Sequence, residues 1–80
     1  MATVTEKDVI RAALRAVSGL LQLPATQMWV DYDRKADVLY INLRRPPVVA
    51  DGEMTEDGII IRRQADEIVG ITVLDASQRG

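Results

Sequence analysis

Carboxylates are the only plentiful reactive side chains in this sequence. Its 80 residues include 12 Asp and Glu but neither histidine nor cysteine. Asp31, Asp33 and Asp37 cluster around one short polar segment, and Asp51, Glu53, Glu56 and Asp57 precede a second apolar run. Such groups can hold magnesium or calcium through oxygen, or act as an acid/base pair. That would make the chain a small-ligand or divalent-metal-binding protein or enzyme built on Asp31, Asp33 and Asp37. The spacing does not fit a calcium loop of the EF-hand kind, however, and Asp is an ordinary turn residue. The preferred reading is structural: Asp33 and Asp37 organise a turn through side-chain to backbone hydrogen bonds, and Asp75 caps the Ala76-Ser77 turn in the same way.

Other chemistries drop out with the missing residue types. Ser-His-Asp and Cys-His catalysis need a histidine, typical zinc sites need histidine or cysteine, and a disulfide needs two cysteines. Ser18 and Ser77 have no identifiable base. The five glycines are scattered and form no phosphate-cradling loop. The reading therefore leans away from an enzyme, and no catalytic residue, metal or cofactor is expected. Arg44, Arg45, Arg62 and Arg63 would form a basic patch if their strands were neighbours; a solvated sheet edge, with charge deterring edge pairing, is the favoured alternative.

The elements that position these residues are legible from periodicity. Val9, Ile10, Ala13, Leu14, Val17, Leu20 and Leu21 recur at helical spacing and form one apolar stripe, so an amphipathic helix is expected over about 5–21. Thr5 with Asp8, or Thr3 with Glu6, can open it as a capping box; Gly19 or the approach of Pro24 can close it. The stripe is expected to pack on a sheet.

Trp29 to Asp33 and Val38 to Leu43 alternate apolar with polar around a four-residue loop, Arg34 to Asp37. That pattern makes a hairpin pairing Asp33 with Val38, Tyr32 with Leu39 and Val30 with Ile41. The pairing gathers Met28, Val30, Tyr32, Leu39, Ile41 and Leu43 on one face, which the helix stripe would cover. Ile59 to Arg63 and Ile68 to Asp75 form a second hairpin. One register sets Ile59 and Ile61 against Ile71 and Val69; another pairs Ile60 with Ile71. Gly70 inside a strand signals a bulge or the close approach of a large neighbour. Pro46 and Pro47 end the second strand, and Val48 to Glu53 has room for a further edge strand.

The expected fold is thus α+β: one N-terminal amphipathic helix and a four-stranded, or five-stranded, antiparallel sheet built from two hairpins as a meander. It forms one domain over 1–80, with the β region about 28–77.

The net charge of -2 offers no general attraction to nucleic acid or anionic membranes. No apolar run reaches the roughly 20 residues that span a bilayer, and the first residues lack a secretory pattern. A cytoplasmic soluble protein is expected.

Three blocks carry a family resemblance: Tyr32-Asp33-x-x-Ala36-Asp37-x-Leu39-Tyr40-Ile41-x-Leu43, Glu56-Asp57-Gly58-Ile59-Ile60, and Ile68-Val69-Gly70-Ile71-x-x-Leu74-Asp75-Ala76-Ser77. In this order, over roughly residues 28 to 77, they resemble the small bacterial and archaeal proteins of the domain of unknown function 2283 family. Arg62-Arg63 depart from the acidic or Tyr-Asp pair of many relatives, and the helix lies outside the shared pattern. The resemblance implies a mostly antiparallel β domain without an assigned activity. Because some relatives sit beside toxin-like genes, an antitoxin-like role is among its implications.

The remaining signal is apolar surplus. The face away from the helix carries Trp29, Val38, Tyr40, Ile60, Ile68 and Leu74, with no second helix to cover it. That set is expected to be a partner surface, giving a homodimer or higher oligomer, with a further protein partner as an option.

Overall fold

The computed structural model describes residues 4–46 and 51–79. Its elements are helix α1 (Glu6–Leu21), strands β1 (Trp29–Asp33), β2 (Val38–Asn42), β3 (Asp51–Met54), β4 (Ile59–Gln64) and β5 (Glu67–Leu74), and a 3-10 turn over Ala76–Gln78. This is the expected α+β chain, with the fifth strand present. Val48 to Ala50, the first half of the expected edge strand, lie outside the described residues, as does Thr3 of the alternative capping box.

Local chemistry sets the helix. Thr5 accepts from the Asp8 N–H through Oγ1 at 3.2 Å, and Asp8 returns the bond by accepting from the Thr5 N–H at 3.2 Å. Glu6 and Asp8 add negative charge to the first turn, where the helix dipole favours it. The helix runs past Gly19 and ends where Gln22 donates to the Gly19 carbonyl and Leu23 to that of Leu20. Pro24 and the bond from Ala25 N–H to the Leu23 carbonyl then fix how the chain leaves it.

The first hairpin has the expected register, with Val30 opposite Ile41, Tyr32 opposite Leu39 and Asp33 opposite Val38. The sheet as a whole is not a meander. Its order is β1-β2-β5-β4-β3, with every neighbour antiparallel. β5 lies between β2 and β4, so the second hairpin is turned over and β3 becomes the far edge.

Both registers expected for the second hairpin are corrected. Ile59 faces Val73, Ile60 faces Thr72 and Ile61 faces Ile71. The turn is tighter than the expected five residues, because Gln64 pairs with Glu67 across Ala65 and Asp66, with Ala65 at φ 57°. The register then slips once. Arg62 pairs with Gly70 but Arg63 with Ile68, leaving Val69 as the bulged residue. Val69 is the most buried side chain, 1% exposed, and its carbonyl accepts from the Leu43 N–H at 3.0 Å.

Gly70 meets both expectations placed on it. It sits beside the bulge, and the Arg62 guanidinium lies where a Cβ would stand, within 2.7 Å of Nε. Arg62 thereby crosses β5 and donates to Asn42 Oδ1 on β2. Gly58 is the other glycine with a conformational reason, closing the Thr55–Gly58 turn at φ 78°.

The helix does not cover the sheet, which overturns the expected packing. None of its residues is buried: Leu14 is 67% exposed, and on the sheet face meant to receive it Val30 is 53% and Tyr32 46% exposed. The hydrogen-bonded segment after Leu21 carries the helix away from that face. Among the described residues only Val38, Leu43, Val69, Gly70 and Thr72 are buried.

Gly70→Ala should push Arg62 off Asn42 and destabilise the sheet by about 1–3 kcal/mol, the usual range for overpacking. In an Arg62→Ala background the same change should cost much less. Urea unfolding of the four-member cycle measures the difference, and equal costs in both backgrounds would contradict the assigned contact.

Candidate functional site

The hairpin turn between β1 and β2 holds the expected carboxylates, and two of them have structural work. Asp33 Oδ1 accepts from the Lys35 and Ala36 N–H groups at 3.0 and 3.2 Å, an Asx-type turn as expected. Asp37 reaches further than expected. Its Oδ1 accepts from Tyr32 Oη at 2.6 Å and from the Ser77 N–H at 3.0 Å, its Oδ2 from Ser77 Oγ at 2.8 Å, and its main-chain carbonyl from the Ala76 N–H at 2.9 Å. It adopts φ 54°, a left-handed conformation that Asp and Asn tolerate better than most residues.

These bonds tie the first hairpin to the end of β5, 40 positions along the chain. They also correct the role expected of Asp75. Asp75 precedes the 3-10 turn at φ 51° but makes no side-chain cap; Asp37 supplies one by bonding Ser77 from the adjoining end of β2. Asp31, the third candidate, stands on β1 opposite Tyr40. Among the described residues no three His, Cys, Asp or Glu side chains are grouped so as to hold a metal ion.

The donors around Asp37 stabilise its ionised form. The Tyr32 hydroxyl is the largest influence, then the Ser77 hydroxyl and N–H, and together they hold its carboxyl below the usual range. The same contact raises the Tyr32 hydroxyl above its ordinary value, because losing that proton would break the bond and set two negative charges together.

The arginines are not one patch, because β5 separates β2 from β4. Arg44 pairs with Glu67, and Arg63 with Glu53 at 3.3 Å. Arg45 lies over the Trp29 ring, 5.8 Å from its centroid. Arg62 bonds Asn42, and its Nε is buried without a partner. Trp29, Asp31, Asn42, Arg44, Arg45 and Pro46 line a notch of about 340 Å³ beside it.

The two sheet faces differ in chemistry. One carries the rows Val30, Ile41, Ile71, Ile61 and Tyr32, Leu39, Val73, Ile59, apolar across four strands. The other mixes Trp29, Val38, Tyr40, Ile60 and Leu74 with Asp31, Asn42, Thr72 and Arg62. Five of the six expected contact residues therefore share a face. Within that set Val38 is buried, Trp29, Ile60 and Leu74 are half-buried, and Tyr40 is exposed. Ile68, half-buried, stands beyond the bulge opposite Arg63.

The Asp37 fastening and the crossing of Arg62 over Gly70 were both missed from the sequence. The Asp37–Ser77 contact had a signal, since both residues fall within the family blocks. The Arg62–Asn42 contact had only Gly70.

A carboxylate-fastened antiparallel sheet with an amphipathic helix at its amino-terminal side defines a class of small α+β domain. The chain belongs to the family described as Protein of unknown function (DUF2283), whose model matches residues 29–77. The resemblance carried by the three sequence blocks is thereby borne out, and the helix lies outside the match. No curated protein and no solved structure matches the chain.

Asp37→Asn tests the fastening, because Asn keeps the left-handed backbone and removes the charge. A lowered folded-state pKa contributes stability above the ordinary carboxylate value and loses it as pH falls through the lowered one. The wild-type melting temperature should fall faster than that of Asp37→Asn below about pH 4. Parallel curves would show that the ionised carboxylate contributes nothing.

Proposed function

We propose that this chain is a self-associating protein–protein interaction module, a homodimer or higher oligomer. In this reading it works in the cytoplasm as an accessory or antitoxin-like protein and not through catalysis. The observation that carries the reading is a helix of 16 residues with an apolar stripe and no buried residue. Helices of this length are marginal alone in water, and most helical stability in proteins comes from packing an apolar face. A capping box offsets only about 0.5–2 kcal/mol. Leaving a Leu, Ile or Val exposed forgoes about 1.5–3 kcal/mol each. A partner surface supplies the missing burial.

The stripe carries no aromatic residue and the helix has only Lys7, Arg11 and Arg15 as basic groups, which favours protein over a lipid surface as its cover. Trp29, Val38, Tyr40, Ile60 and Leu74, which share one sheet face, and Ile68, beyond the bulge, remain proposed contact residues for a higher oligomer or a further protein partner, with Tyr40 the most accessible of them. The engagement of Asp33 and Asp37 in turn and strap bonds supports assembly over carboxylate chemistry.

Light scattering should give a mass above that of one chain, falling on dilution through the micromolar range. Leu14→Ala should cost about 2 kcal/mol or more if the assembly buries Leu14, but under about 0.5 kcal/mol if it stays exposed. A wild type that is monomeric at every concentration, with a melting temperature independent of concentration, would overturn the proposal.

A further inference from the structure

The chain exposes two apolar surfaces of complementary shape. One is the α1 stripe from Val9 to Leu21, a ridge about 18 Å long at 1.5 Å rise per residue. The other is the sheet face around Val30 and Ile61, which spans four strands, or about 14–15 Å across. Neither is interrupted by charge at its centre, and neither covers the other within the chain. The segment joining them is no loose tether: Gln22, Leu23 and Ala25 are held by short-range hydrogen bonds, and Pro24 stiffens it. A hollow of about 760 Å³, lined by Leu20, Leu21, Met28 and Trp29 among others, opens between the helix end and β1.

The dimensions give the scale of the missing cover. The accessible surface is 6642 Å², whereas a compact monomer of this mass exposes about 4800 Å². The radius of gyration is 13.9 Å, against about 12 Å for a compact chain of this length. Two copies that each hid the excess would bury roughly 3600 Å² together, inside the range of about 2000–5000 Å² typical of obligate homodimers. The excess is of the size that a second copy removes.

We infer that two chains exchange helices, the α1 stripe of each lying across the Val30 and Ile61 sheet face of the other. This rests on the self-association proposed above and adds its geometry. The arrangement is isologous, since each copy gives a ridge and receives one, and it closes as a dimer with both surfaces used. It also places the ridge on the face that carries no charged side chain at its centre. The opposite face would instead set the helix against the charged side chains of Asp31 and Arg62.

Cysteine-specific cross-linking tests this cleanly, because the native chain has no cysteine. L14C and V30C, both at exposed positions, are purified separately, refolded together and treated with a short bis-maleimide. L14C with V17C as a second helix probe guards against one unfavourable register. Helix exchange predicts a linked dimer in the mixture at several times the yield of either variant alone. A dimer by light scattering that links only L14C to L14C, V30C to V30C, or V30C to neither helix probe would overturn the exchange while leaving self-association intact. An L14C/V30C double variant that links within a monomer would show the helix folding back on its own sheet and overturn both. A wild type that stays monomeric at every concentration would overturn both as well.

Discussion

Strand β5 is the constraint on which the rest of the sheet depends. It pairs with β2 on one side and β4 on the other, so the backbone pairing among the described residues joins both hairpins through it. Its residues are accordingly the most enclosed, with Val69, Gly70 and Thr72 all buried. Three local devices hold it in place. The bulge at Val69 sends a carbonyl to Leu43, Gly70 admits the Arg62 side chain across the strand, and Asp37 fastens the turn that follows Leu74. The first and third link β5 to the β2 side of the sheet, and the second links β4 to it over β5. A central strand between two hairpins needs such links, because the pairing of β2 with β5 closes a long loop and neither hairpin specifies it locally.

What could be read from the sequence divides along the same line. The helix, its Thr5–Asp8 cap and the whole first hairpin follow from local pattern, because Val30, Tyr32, Leu39 and Ile41 can share a face in only one register. The second hairpin was not legible in that way. Ile59, Ile60 and Ile61 are all apolar, so alternation cannot say which of them points to which face, and the bulge then shifts the count by one. The order of strands was hidden for a related reason. A meander and the observed order have the same hairpins, and what separates them is contact across 30 or 40 positions, such as Ser77 with Asp37.

The site shows the same limit in its chemistry. Asp33 behaves as turn composition implies, bonding the two N–H groups that follow it. Asp37, four residues later and identical in type, serves a different end because its backbone has turned left-handed and aims the carboxylate at Ser77 and Tyr32. Asp75, which composition marks as a cap, leaves that task to Asp37. Residue type marked Asp33 and Asp37 as turn formers but could not assign their partners. Arg62 is the strongest case, since its reach to Asn42 depends on a missing side chain on a strand between them.

The helix brings these points to one argument. Its amphipathic pattern was plain, and an apolar stripe beside an apolar sheet face would ordinarily be packed against it. The chain instead spends its connecting residues on a hydrogen-bonded segment with Pro24 that holds the two apart. Bringing the helix back would require breaking the Ala25 to Leu23 bond and swinging the first strand's lead-in, Met28, out of its half-buried place. Keeping it extended leaves the stripe in water, at a cost that its cap cannot offset. Both costs disappear if the stripe is covered from outside the chain. That balance, an exposed apolar stripe on a stiff connection, is the physical ground of the proposed self-association.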